Sequence, residues 1–148
     1  MFTDYSLKKI AIPADLVNPY KDYSAISLNV YKEDFAPYAK GVYTSTFFED
    51  EWEQVLEYSP MLDTYRFSDL YVSEYDLFFT WDGGSTMTLK TTDTATGYVH
   101  PSYGMVTARA VATLYDPSTD TMKFQYNWIV SAGSFGAYIE SFVITERY

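Results

Sequence analysis

Met122-Lys123-Phe124-Gln125-Tyr126-Asn127-Trp128-Ile129-Val130 is the segment on which the fold turns. Large apolar side chains stand at every second position, with mostly polar ones between. A period of two marks a β-strand with one face buried. Ser131-Ala132-Gly133-Ser134-Phe135-Gly136 follows, read as a turn with two glycines. A second strand runs from Ala137 to about Thr145, so the pair is expected to form a hairpin.

The pattern repeats upstream. Tyr75, Leu77, Phe79 and Trp81 alternate on one face, and Asp82-Gly83-Gly84-Ser85 turns into a strand over Thr86–Thr91. Ala108, Ala110, Ala112 and Leu114 share a face of a strand over Thr107–Tyr115. Val42–Phe48, Trp52–Tyr58 and Thr64–Leu70 complete the set, and Thr92–Met105 reads as a longer loop. The seven glycines and six prolines fall at expected loops and strand ends. No segment holds a 3.6-residue period. The expected fold is therefore all-β, an antiparallel meander of about 8–10 short strands. It closes as a barrel-like sheet or folds over as a two-sheet sandwich, and pairing between sequence neighbours favours the barrel.

The chain has 148 residues, enough for one domain with a sizeable core. Positions 36–148 form the β domain in this reading. Positions 1–35, with strand-like pieces at Tyr5–Ile12 and Ala25–Tyr31, read as an N-terminal arm or the end of a preceding domain.

Charge narrows the partners. The net charge is −10 and is concentrated in one stretch. Ten acids face only Arg66 between Glu49 and Asp82, whereas the flanking segments are nearly balanced. Such a surface repels phosphates, which argues against nucleic acid and against anionic membranes. No apolar run reaches the ~18 residues of a membrane helix, so no membrane insertion is expected. Cysteine is absent, which excludes disulfides, thiolate metal sites and thiol nucleophiles. Met1-Phe2-Thr3-Asp4 lacks a basic, apolar leader pattern, so an exported protein would have lost its leader.

Four places invite chemistry. Gly97-Tyr98-Val99-His100-Pro101-Ser102-Tyr103-Gly104 holds the only histidine and two tyrosines. It is expected to be a ligand-contact loop through Tyr98, His100 and Tyr103, set against a plainer reading in which the tyrosines cover the sheet and His100 bonds to backbone. A lone histidine without a nucleophile partner argues against triad catalysis. Glu49-Asp50-Glu51-Trp52-Glu53 supplies carboxylates for a cation or for glycoside hydrolysis, though acids alternating with Trp52 and Leu56 suit a solvated strand face. Asp116-Pro117-Ser118-Thr119-Asp120 has a faint calcium-loop spacing but carries Thr121 and Asn127 where glycine and an acid are needed, so a turn is expected. Among the tryptophans, Trp52 is the best candidate for an exposed sugar platform, although its strand pattern also turns it inward. No residue set calls for a metal or cofactor.

Phe79-Thr80-Trp81-Asp82-Gly83, Thr96 through Gly104, and Ala132-Gly133-Ser134-Phe135-Gly136 together resemble a β domain of secreted lipoproteins from Bacteroidetes-type bacteria, and Gly41-Val42-Tyr43-Thr44 resembles its start. The resemblance spans about Ala39 to Thr145. It implies export to the outer membrane or cell surface, a lipidated cysteine lost with the leader, and a role beside glycans. It carries no catalytic residues. The function expected from residues and resemblance is a noncatalytic extracytoplasmic domain that binds a glycan or an envelope protein. The alternatives are a ligand-free spacer, a glycoside hydrolase using two acids of the Glu49–Asp82 segment, and a barrel holding a small apolar ligand.

Overall fold

A computed structural model describes residues 34–148. The chain divides into two compact units, Met1–Glu33 and Asp34–Tyr148, and the described residues are the second. The strand readings at Tyr5–Ile12 and Ala25–Tyr31 lie outside them.

Among the described residues nine strands follow one another: β1 (Ala36–Ser45), β2 (Asp50–Ser59), β3 (Thr64–Phe67), β4 (Leu77–Trp81), β5 (Met87–Leu89), β6 (Asp93–His100), β7 (Gly104–Asp116), β8 (Thr121–Val130) and β9 (Gly133–Arg147). All join one antiparallel sheet in the order β5-β4-β3-β2-β1-β9-β8-β7-β6, curled into a half-barrel. The all-β meander read from the alternation is thus present, in its barrel-like form. The last strand lies between the first and the eighth, so the two halves of the meander meet along β1 and β9.

The antiparallel pairings run β5 and β6 in the same direction. They are separated only by residues 90–92, and act as one strand that changes partner. Its first part pairs with β4 and its second with β7. Two bonds fix the exchange: Lys90 donates its N–H to the Phe78 carbonyl (3.1 Å), and Ala110 donates to the Thr92 carbonyl (2.8 Å). Thr113 Oγ1 adds a bond to the Met87 carbonyl (2.6 Å), tying β5 to β7 across the seam.

Alternation places one face of every strand inside. Tyr43, Leu56, Phe67, Phe79, Met122, Phe124, Tyr126, Trp128 and Phe142 are fully buried there. The rings meet edge to face or offset, as Phe67 does with Phe142 (4.9 Å) and Phe79 with Phe124 (5.4 Å). Aromatic quadrupoles favour these arrangements. The curl of the half-barrel is filled by side chains.

Several local readings are corrected. Thr92–Met105 is no loop: it is β6 with a tip at 101–103. Its pattern is hidden by a register shift between Ala95 and Val99, around Gly97. The face Ala108-Ala110-Ala112-Leu114 does not exist, because a bulge between Ala110 and Ala112 shifts the phase. Beyond it Tyr115 is buried and Leu114 is exposed, as one extra residue reverses every later side chain. Pro37 and Gly41 lie within β1, and Gly133 and Gly136 within β9. Pro37 is tolerated because β9 pairs with β1 only from Ala39 onward. Gly41 is required: a Cβ there would run into the backbone of Val143 on β9. The first strand stops at Ser45, so Phe47 and Phe48 belong to the turn. The strand after Gly84 shortens to Met87–Leu89.

Candidate functional site

The connections β1–β2, β3–β4, β6–β7 and β8–β9 all lie at one end of the half-barrel. Their aromatic side chains converge there. On β6, inward alternation aims Tyr98 and His100 at this end, and the hairpin tip adds Tyr103. From the start of β9 comes Phe135. The rings of His100, Tyr103 and Phe135 touch one another, with centroids 5.1, 5.2 and 5.7 Å apart. Tyr103 is 51% exposed, and His100 and Phe135 are half-buried. The three form a ledge that is apolar in body and polar at its tips.

His100 Nδ1 accepts the Ser102 N–H at 3.0 Å. The neutral ring therefore carries its proton on Nε2, which remains a donor. The plainer reading of His100, bonded to backbone, is correct for one of its nitrogens. Phe47 supports the ledge from below, 5.5 Å from Phe135 and stacked flat on Trp128 at 4.3 Å. Tyr98 sits edge-on to Phe48 at 5.1 Å and packs against the core, so it is a buttress.

Trp52 does not join the ledge. It stacks on Tyr43 at 5.2 Å, and its Nε1–H donates to Gln54 Oε1 (2.9 Å). The ring of Tyr71 lies 6.2 Å from Trp52 and 5.4 Å from Phe48, which in turn meets Tyr98. The four predicted contact residues thus split into a surface pair (His100, Tyr103), a buttress (Tyr98) and a core-packed indole (Trp52).

Beneath the ledge lies a group the sequence reading overlooked. Glu140 is 0% exposed. Its Oε1 accepts the Tyr71 hydroxyl at 2.7 Å and its Oε2 accepts the Ser45 hydroxyl at 2.9 Å. The Phe47 N–H also donates to this carboxylate. Tyr43 and Tyr71 hydroxyls are 2.7 Å apart; since Tyr71 gives its proton to Glu140, Tyr43 is the donor between them. Burial pushes Glu140 above the ordinary carboxylate range, against the pull of its hydroxyl donors. Burial likewise pushes the phenols of Tyr43, Tyr71 and Tyr126 well above their usual value. The Tyr126 hydroxyl and the Trp128 Nε1, both fully buried, have no hydrogen-bond partner among the described residues.

A signal for Glu140 was available. Glu140, Phe142 and Ile144 share one parity on β9, so the carboxylate stands in line with inward-facing apolar residues. Phe135 lay inside the glycine-rich motif but was read as part of a turn.

The acidic segment faces solvent and neighbouring cations. Glu53 reaches Lys40 Nζ at 3.3 Å, Glu57 accepts Arg66 Nε at 2.7 Å, and Asp50 and Glu51 are exposed. Residues 117–120 form a turn in which Asp116 accepts the Ser118 N–H (2.9 Å) and hydroxyl (2.7 Å). Among the described residues no three histidine or carboxylate side chains gather as a metal-binding group, and no helix is long and apolar enough to cross a membrane.

The fold and site define an all-β half-barrel with an aromatic ledge at one end. No family model matches this chain, no curated protein matches its sequence, and no solved structure matches its fold. The likeness to the lipoprotein β domain stands on its turn and aromatic motifs alone.

Proposed function

We propose that this is a noncatalytic binding domain whose ligand, a glycan, lies on the His100–Tyr103–Phe135 ledge. The observation that carries this reading is the mutual contact of three half-exposed rings from two different hairpins. Aromatic rings with polar tips suit a surface that is half wet. The C–H face of a sugar packs on the rings, while the Tyr103 hydroxyl and His100 Nε2–H bond to its hydroxyls. The setting we propose is extracytoplasmic, on a surface lipoprotein, and it rests on the sequence resemblance.

Thermal unfolding against a panel of soluble polysaccharides tests the reading, since a ligand of the folded state raises the melting temperature. One glycan class is expected to give a shift that Tyr103→Ala and Phe135→Ala abolish. A shift that both variants retain would move the site elsewhere, and no shift with any glycan would remove this reading. A second reading, a spacer without ligand, is favoured by the filled interior of the half-barrel. It predicts no shift with the panel.

A further inference from the structure

Glu140 is joined to two connections that are remote from it in sequence. Ser45 and Phe47 come from the end of β1 and the turn after it, and Tyr71 from the connection between β3 and β4. Ser45 Oγ also accepts the Phe48 N–H at 3.1 Å. One carboxylate therefore fixes the turn that carries Phe47 and Phe48. Phe47 in turn contacts Phe135 on the ledge and Trp128 below it.

We propose that Glu140 is the positioning residue of the ledge, and that its protonation loosens the Phe47–Phe48 turn and weakens ligand binding in acid. The inference rests on the ledge being the binding site. Its basis is donor geometry. An ionised carboxylate only accepts, and the Tyr71 hydroxyl, the Ser45 hydroxyl and the Phe47 N–H all point at it. Once protonated, the carboxyl must donate one bond itself. Tyr71 would then have to turn its hydrogen toward Tyr43, displacing the Tyr43 hydrogen from its acceptor, or Ser45 would have to turn its own hydrogen away and lose its acceptor. The Phe47 N–H has no such freedom and keeps only an uncharged oxygen, a weaker partner.

The titratable groups that face Glu140 are Tyr43 on β1, Tyr71 on the β3–β4 connection and Tyr126 on β8. All three are phenols that stay protonated far into alkali. Among the described residues the partners of Glu140 are hydroxyl and N–H donors, none of them a cation. In mild acid, Glu140 is thus the member of this cluster that titrates. Because its affinity for a proton is raised, the change falls above the ordinary glutamate range. Protonation relieves the cost of burying a charge and so favours the fold as a whole. The directional hold on Phe47 and Tyr71 weakens at the same time.

The test is NMR of ring-labelled phenylalanine in the whole protein, without ligand, from about pH 8 down to about pH 4, a range that covers a raised glutamate. In the wild type, the resonances of Phe47 and Phe48, the two rings of the turn that Glu140 holds, are expected to move together through one transition. Glu140→Gln should abolish that transition. Ser45→Ala removes one donor to the charged form and should shift it to higher pH. Resonances that stay still in the wild type, a transition that survives Glu140→Gln, or a midpoint unmoved in Ser45→Ala would each overturn the proposal. Binding of the glycan found in the thermal panel should fall about fivefold across the same transition, the equivalent of one hydrogen bond losing its charge assistance. A ring transition in a protein that binds no glycan would uphold the latch and sink the ledge as a sugar site.

Discussion

The two ends of the half-barrel are built from the same residue types and hold their turns in different ways. At the aromatic end, one buried carboxylate gathers hydroxyls from distant connections under a layer of rings. At the opposite end, the turns at 60–63, 82–86 and 117–120 are each held by a separate carboxylate that keeps contact with solvent. Asp34 bonds the Ser59 hydroxyl and accepts the Met61 N–H at 3.1 Å. Asp82 accepts the Gly84 N–H at 2.8 Å. Asp120, in the left-handed region at φ 53°, takes Arg147 bidentately at 2.6 and 2.8 Å and the Tyr115 hydroxyl at 2.6 Å. Solvent-accessible carboxylates fasten these turns one at a time, whereas the buried carboxylate joins two distant connections at once.

The ends should therefore break differently, and the largest break lies at the aromatic end. Trp128→Ala removes a fully buried indole under Phe47 and should cost about 3–5 kcal/mol in urea unfolding. A loss below about 1 kcal/mol would mean that the rings do not act as one packed unit. Gly97→Ala comes next. Gly97 has φ 79°, and a Cβ there would meet the ring of Tyr75 from the β3–β4 connection. Strain and displacement of that ring should together cost roughly 1–3 kcal/mol, read as a lower denaturation midpoint.

The ionic end should respond more weakly. Arg147→Ala removes the bidentate pair with Asp120, and about 1 kcal/mol or less is expected, shrinking as salt is added. An equal loss at high salt would show that the pair acts through packing. The smallest effect belongs to the ledge surface. Tyr103→Ala should leave stability within about 0.5 kcal/mol while removing glycan binding.

Acidity sharpens the same contrast by sign. The Asp34 carboxyl is lowered by its Ser59 bond, Asp116 by Ser118, and Asp120 by the Arg147 guanidinium. Their contributions are present above the ordinary aspartate value and lost as pH falls through the lowered ones. Glu140 is raised by burial, so its contribution is present below the ordinary glutamate value and lost as pH rises through the raised one. Glu140→Gln should consequently gain stability relative to wild type as pH rises from mild acid to neutrality, since a neutral side chain avoids a buried charge. Urea titrations stepped through pH would read this, and a difference that does not change with pH would show that the charge carries no burial cost.

Much of the fold was legible because alternation is a local signal. Met122 to Trp128 stand inward on β8 as their spacing requires, and Leu77, Phe79 and Trp81 do so on β4. Legibility failed where one residue is added or a register slips. The bulge at Ala110–Ala112 reversed Leu114, and the shift around Gly97 disguised β6 as a loop. For the site, His100 and Tyr103 were readable as neighbours on one hairpin. Their contact with Phe135 was not, because the partner comes from another hairpin. Nor was the separation of Trp52 from them by Tyr71.

The sequence by itself determined the all-β class, the inward face of most strands and the absence of thiol chemistry. These follow from side-chain period and composition, which need no knowledge of what lies across the sheet. Tertiary structure alone decided that β9 inserts beside β1, that β5 and β6 exchange partners at the seam, and that Glu140 meets Ser45 and Tyr71. Those outcomes depend on closing long loops around a shared core. The free energy for that comes from burying rings that are far apart in the chain, which no local pattern records.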